Sequence, residues 1–503
     1  MKKPVYVREL SRHTAAELAD LMQLDIEQTR RCIQSLAALG VLSASADALL
    51  IDDEEAAEGE GSGKYQFTWV GVAIFGEQPI VVYPKYMSAG AKSMGTTGGI
   101  SKMRQVLRVI RKAAASTSPV DSLDDGGLDG GSRLALVLAL IDSYSEYGIY
   151  SNYIKVNRQN GNGSIDWGRT IERFQPFLSN GTPIYFEYDT SESSKDLSDY
   201  VTRLHRCVLT LCSKYLTDTG LGELLGIDPI EISSESLEDF GEADYALYRL
   251  ERERATQFVT WKQAVIDMLR SFLSNEELLT TPDNATCFGT RSFQSIWELA
   301  CKVAFGDELH RPIGELGINL SGKWLNERQT ELIDLIPRPI WTKTGKDGAM
   351  QCGGVSTLIP DVISVFDMGG GESAFCIYDA KYYTPKLGKA TTGVPGVESV
   401  TKQILYQRAY RDFIRDNRID HVANVFIVPA DGNQLEHLGS VEFSGVFDPL
   451  GSPFVDGVEM WALPARYMFD CYLGDALAAE NIIRVICGMR SKVITGDEDA
   501  PGL

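Results

Sequence analysis

Apolar residues recur at two different spacings along the chain, and the change of period divides it. In "TAAELADLMQL", from Thr14, they fall at helical intervals, with Thr14 as N-cap and Glu17 three residues on, a capping-box pattern. Asp25 is placed to cap "IEQTRRCIQSLAALG", a second helix that Gly40 closes. "VLSASADALLID" then predicts a β-hairpin, and the acidic, glycine-rich "DDEEAAEGEGSGK" (52–64) a linker or exposed loop. "YQFTWVGVAIFGEQPIVVYPKYM" holds two β segments around "FGEQP", and a basic helix follows at 101–114. After a polar loop comes the helix "RLALVLALIDSYSEYG". The stretch 148–174, rich in aromatics, Asn and Gly, reads as a loop feeding a helix that begins near Asp166. Residues 196–217 are helical by spacing, and 242–274 read as one long charged helix.

From about residue 290 strands and helices alternate. The helix "SFQSIWELACKVAF" leads in, and "TLIPDVISVF" and "ESAFCIYDAKYY" read as two strands joined by the "DMGGGE" turn. A helix at 399–417, β segments at "HVANVFIVP" and near "VEFSGVFD", and a C-terminal helix at about 470–489 follow. The expectation is a multidomain α/β protein: a winged helix-turn-helix-like unit at 1–52, a mixed α+β region at 64–275, and a mixed sheet flanked by helices at 285–503. The first unit suits DNA contact by its second helix, which carries Arg30 and Arg31, or a protein-interaction module of the same shape. The middle region would recognise the target, a partner, or both, with its long helix packing between domains or on that partner.

Composition narrows the setting. The chain has 503 residues, 44% hydrophobic and 23% charged, the balance of a globular protein. It has no apolar run long enough to span a membrane, and "MKKPVYVRELSRH" lacks the apolar core of a secretory signal. Nine widely spaced cysteines without a CxxC argue against both a disulfide framework and a zinc site. Cys301 and Cys376 lie in apolar context and are expected to be buried. A cytoplasmic protein is the expectation. The net charge of −21 is unfavourable for a nucleic-acid binder, although acids gather between Asp218 and Asp244 and bases in "SKMRQVLRVIRK".

The chemistry concentrates in "STLIPDVISVFDMGGGESAFCIYDAKYYTPK". Side chains alternate along a strand, so Asp379 and Lys381 share a face, and pairing through the glycine turn brings Asp361 to the same end. Two close carboxylates repel unless a cation lies between them, and Mg²⁺ takes oxygen ligands while keeping several waters. The backbone carbonyl of Ala380 is a further candidate ligand. Glu298, a lone acid on a largely apolar helix face, either completes such a site or caps a local network. The competing reading is an exposed turn with a Lys–Asp pair. Gln403 and Gln407 lie one helical turn apart in "VTKQILYQ". "GINLSGKW" (317–324) has phosphate-loop spacing, but Trp324 replaces the magnesium-binding Ser/Thr; "GSGKY" lacks the first glycine. No nucleotide site is expected in this chain.

"IPD…YDAKYY…PGVESVTKQILYQ" resembles the PD-(D/E)xK nuclease core. With "YGIYSNY", "NGNGSIDWGRTI", "PIYFEY" and "SIWELACKVAF", the wider context resembles the LlaJI-type restriction endonucleases, relatives of the McrC nuclease subunit, over roughly residues 64–430. The resemblance implies metal-binding positions at Asp361 and Asp379, the catalytic lysine at Lys381 and a supporting role for Gln403. It also implies a Mg²⁺-dependent endonuclease of a prokaryotic restriction or phage-defence system, with Mn²⁺ able to substitute. The implied substrate is double-stranded DNA, and the implied partner an AAA+ GTPase or ATPase resembling McrB. Self-association would serve double-strand cleavage. The rival expectations are a non-catalytic DNA-binding adaptor with a vestigial nuclease fold and a repair nuclease of similar core.

Overall fold

Two runs of mostly buried residues, Val362–Gly369 and Glu372–Ala380, begin the sheet that organises the larger part of the computed structural model. The structure describes residues 3–44, 64–76, 78–88, 90–116, 133–274, 285–345, 348–353, 356–475 and 480–488. The chain forms two units, residues 130–286 and residues 2–129 together with 287–503. They cut it at different points from the expected 1–52, 64–275 and 285–503, because the segment after residue 64 pairs and packs with the C-terminal part.

The five-stranded sheet runs in the order Val362–Gly369, Glu372–Ala380, His421–Ala430, Val458–Pro464, Glu436–Val441. The first two strands are antiparallel, Val362 opposite Tyr378, and the next two neighbours are parallel. Gly369, Gly370 and Gly371 turn the first pair at φ of +83°, +71° and +91°, a run open to glycine and strained for other residues. On one face Ile363, Val365, Phe375 and Ile377 pack with Tyr406 and Phe413, from the helices Val397–Ala409 and Arg411–Asp416, and with Tyr410 between those helices. On the other, Phe305 of the helix Phe293–Phe305 stacks on Tyr378 at 4.4 Å, and Trp297 meets Phe469 of the helix Ala465–Leu473. Each buried aliphatic or aromatic side chain here contributes about 1.5–3 kcal/mol. Val362–Gly369 is an edge strand, and its exposed N–H groups are covered. Ile363 N–H donates to Asp307 Oδ1 at 3.0 Å and Val365 N–H to Glu308 Oε2 at 2.9 Å.

A second sheet of this unit orders Val5–Arg8, Gln78–Tyr83, Val70–Phe75 and Ala285–Thr290. The middle two form the expected antiparallel pair, while Val5–Arg8 joins in parallel without an obvious sequence signal. The helices Ala15–Met22 and Ile26–Ala38 start on reciprocal capping boxes, Thr14 with Glu17 and Asp25 with Gln28. The strand that faces Leu42–Ala44 is Tyr65–Phe67, which also pairs with Arg12–His13. The remainder of the expected hairpin, 45–52, and nearly all of the 52–64 linker lie outside the described residues. The expected basic helix spans Thr97–Ser116.

In the unit 130–286, Asn152–Gln159 is a strand rather than part of a loop. It pairs along its length with Asp189–Asp196, and Ser164–Ile165 adds a third strand. The helix capped by Asp166 is present as Trp167–Arg173. The long helix expected at 242–274 is two, Ala243–Thr256 and Thr260–Ser274. Gln257 leaves helical geometry and its Oε1 accepts the N–H groups of Phe258 and Val259 at 3.1 Å each, which breaks the ladder. Arg254 then reaches Asp267 across the turn at 3.1 Å.

Further strands outside the expectation include Phe177–Ser179, Thr182–Ile184, Ile340–Gly345, Gly348–Gly353 and Val458–Pro464. The strand sought near "VEFSGVFD" lies earlier, at Glu436–Val441, and the C-terminal helix is divided, Gly474 ending its first part at φ +87°.

Candidate active site

Pro360 has no N–H to extend the ladder, so pairing of the first two strands stops at Val362 and the next residue, Asp361, turns its side chain to the freed backbone. Its Oδ2 accepts the Ala380 N–H at 2.9 Å. That bond draws Asp361 to the end of the neighbouring strand, where Asp379 is buried at 7% exposure. Burial, followed by the neighbouring Asp379 carboxyl, pushes the Asp361 carboxyl up to about 7, against the opposing pull of the Ala380 N–H and Lys381. Lys381 Nζ lies 3.2 Å from Asp379 Oδ1, and the Lys381 backbone N–H is fixed to Ile427 O at 2.9 Å.

The other candidates stand differently. Gln403 is wholly buried, and its Nε2 donates to Ile377 O at 3.1 Å, so it supports the strand two residues before Asp379 rather than reaching the carboxylates. Glu298 pairs with Lys302 one helical turn on at 2.7 Å. Among the described residues no group of three or more His, Cys, Asp or Glu side chains gathers to hold a metal, so Glu298 does not complete a three-acid cluster. Tyr406 has a role that spacing did not reveal. Its hydroxyl donates to Ile359 O at 2.8 Å and so holds the chain two residues before Asp361. Burial raises that hydroxyl, with added effect from the charges of Asp379 and Asp361.

The donor set suits a hard divalent cation. Burial and the neighbouring Asp379 resist the charge on Asp361, and a cation between the carboxylate oxygens would offset that resistance. Magnesium binds one or two carboxylates and keeps its waters, so a pair of acids is sufficient. The segment with phosphate-loop spacing is built otherwise. Trp324 is buried edge-on to Phe413 at 5.2 Å, and its Nε1 donates to Asp416 at 2.9 Å.

The site is thus a buried aspartate, a half-buried one and an adjoining lysine, at the end of a mixed sheet between helices. Residues 69–314 and 319–463 match the family model of the LlaJI restriction endonuclease, and the chain belongs to that family. It is 27% identical over 398 residues to the type II restriction enzyme BsuMI component YdjA of Bacillus subtilis, covering 76% of this chain and 77% of that protein. Among solved structures, an assembly of Thermococcus gammatolerans McrB AAA+ hexamers with bound McrC matches at a TM-score of 0.32 and 14% identity, over 94% of this chain and 100% of that one. The McrBC complex of the same organism matches at 0.23 and 15%, over 59% and 85%. Likeness of that degree carries no statement about this chain. No helix among the described residues is long and apolar enough to cross a membrane.

Proposed function

We propose that this chain is the nuclease subunit of a restriction system, hydrolysing phosphodiester bonds of double-stranded DNA with Mg²⁺, for which Mn²⁺ can substitute. The observation that carries the reading is the placement of Asp361, held on the Ala380 N–H, at the strand end that carries the Asp379–Lys381 pair. Membership of a restriction endonuclease family supports it. The mixed order of the sheet, with acid, acid and lysine at its edge pair, is also consistent with a PD-(D/E)xK core.

In this reading Asp361, Asp379 and the Ala380 carbonyl hold the cation. When bound, the cation acidifies a water and offsets charge at the phosphate. Asp379, buried and paired with Lys381, keeps a fixed position at the strand end. Lys381 Nζ, held by Asp379, orients the attacking water or faces the charge that develops on phosphate oxygens. Water attacks directly, without a covalent enzyme intermediate. One site cuts one strand, so a double-strand break takes two copies. The N-terminal helix pair is the winged-helix-like unit, offering the second helix to DNA. An AAA+ GTPase or ATPase resembling McrB acts in trans, a role that rests on the sequence resemblance.

The test is cleavage of unmodified and cytosine-methylated plasmid in Mg²⁺ or Mn²⁺, with and without the neighbouring ATPase or GTPase. Wild type should cut and Lys381→Ala should not, while calorimetry should detect Mg²⁺ on wild type and not on Asp361→Asn. Equal behaviour of wild type and Lys381→Ala under every condition would instead make the chain a non-catalytic subunit.

A further inference from the structure

Lys381 stands one residue beyond the strand Glu372–Ala380, where regular pairing ends. A lysine at a loose strand end would wander, and displacement of a reacting group by about 1 Å costs on the order of 10²-fold in rate. The next residue supplies an anchor. Tyr382 turns to the opposite face and is buried at 4% exposure, with its ring 5.3 Å from Phe293 and 6.4 Å from Tyr86. Its hydroxyl donates to Glu9 Oε2 and accepts the Lys85 N–H at 3.1 Å. The same Glu9 oxygen accepts the Lys85 N–H at 2.9 Å, and Lys85 Nζ lies 4.8 Å over the Tyr382 ring.

Glu9 is itself immobilised. It follows the strand Val5–Arg8, its N–H donates to Tyr83 O at 2.9 Å, and Arg8 Nε donates to Lys85 O at 3.0 Å. A carboxylate at 8% exposure is costly to bury, and a packed apolar side chain would serve stability as well or better. What an apolar residue would not do is fix the direction of the Tyr382 hydroxyl. Lys381 is therefore flanked by two constraints from distant parts of the chain, Ile427 O on its own N–H and Glu9 on its neighbour's side chain.

We propose that Tyr382 and Glu9 are positioning residues for Lys381, so that the N-terminal segment is a working part of the nuclease site. This rests on the nuclease reading above. The experiment compares full-length wild type with Tyr382→Phe, Glu9→Ala, Glu9→Gln and Lys381→Ala. The readouts are thermal melting, Mg²⁺ affinity by calorimetry, DNA affinity, and single-turnover cleavage across pH. Tyr382→Phe and Glu9→Ala should remain folded and keep cation and DNA affinities, yet cut roughly 10–100-fold more slowly. Glu9→Gln, whose amide oxygen still accepts the tyrosine hydroxyl, should regain most of the rate. If Tyr382→Phe cuts at the wild-type rate while Lys381→Ala is inactive, the positioning role is wrong. It is equally wrong if Glu9→Gln is as slow as a folded Glu9→Ala, or if slowing simply follows loss of folded protein. Should Glu9→Ala fail to fold, Tyr382→Phe decides alone. Lys381→Ala cutting like wild type would overturn the nuclease reading instead.

Discussion

Asp361 occupies a place where ionisation is resisted, and the resistance has a sign. Its carboxyl is raised from an ordinary value of 3.8 to about 7, first by burial and then by Asp379. Between those values the unfolded chain has lost the proton that the folded chain keeps, so folding takes up a proton. This contribution to stability is fully present below the unfolded value and is lost as pH rises through the window to about 7. A divalent cation replaces the proton, so it should stabilise most where the pair is ionised. Melting with and without Mg²⁺ should show little shift at about pH 5 and a large one at about pH 8. Asp361→Asn should abolish the shift and make the metal-free protein more stable at the higher pH. An equal Mg²⁺ shift at both pH values would mean that the acid pair is not where the ion binds. Gln403 predicts the opposite profile. Because it bonds the backbone at Ile377, Gln403→Ala should cost about 1–3 kcal/mol in denaturant unfolding while leaving Mg²⁺ affinity at the pair intact.

At the scale of elements, the strand Glu372–Ala380 carries the site, and its two faces are held by different helices. Phe305 on one side lies parallel to Tyr378 at an angle of 12°, immediately before Asp379. Phe305→Ala should cost about 3–5 kcal/mol by leaving a cavity under the strand, measured by denaturant unfolding. A loss below about 1 kcal/mol would show that the helix Phe293–Phe305 does not carry that face. This strand was legible in sequence because its β-branched and aromatic content, a glycine turn and the spacing of Asp379 and Lys381 agree with one another. Val458–Pro464 was not, because a Pro- and Gly-bearing loop precedes it, and its place between two other strands is decided by pairing far along the chain. Asn152–Gln159 is polar and largely exposed, so only its ladder with Asp189–Asp196 defines it. Spacing foresaw the acids and the lysine together. It could not show the Tyr406 bond to Ile359 or the Glu9 bond to Tyr382, which join residues far apart in sequence.

For the whole molecule the difficulty is a net charge of −21 on a protein read as acting on DNA. The strongly basic helix Thr97–Ser116 does not resolve it, because Lys102, Arg108 and Lys112 are engaged by the C-terminal part of the same unit. Lys102 pairs with Asp431, which also accepts the N–H and hydroxyl of Ser88, and Arg108 pairs with Asp475 at 3.0 Å. Lys112 Nζ donates to Tyr472 O at 2.5 Å. These bonds dock the helix rather than present it to phosphates. Asp431 keeps 12% side-chain exposure while Arg108 and Asp475 are about half exposed, so the two pairs should differ in weight. Lys102→Ala should lower stability by about 1–3 kcal/mol, because it strips a largely buried carboxylate of its cation. Arg108→Ala should cost at most about 1 kcal/mol. Neither should change the slope of DNA affinity against salt, since removing a cation that touches a phosphate reduces that slope by about one. Unfolding curves and binding isotherms over a range of salt separate the two roles. A flattened slope in Lys102→Ala with unchanged stability would place this helix on the DNA after all.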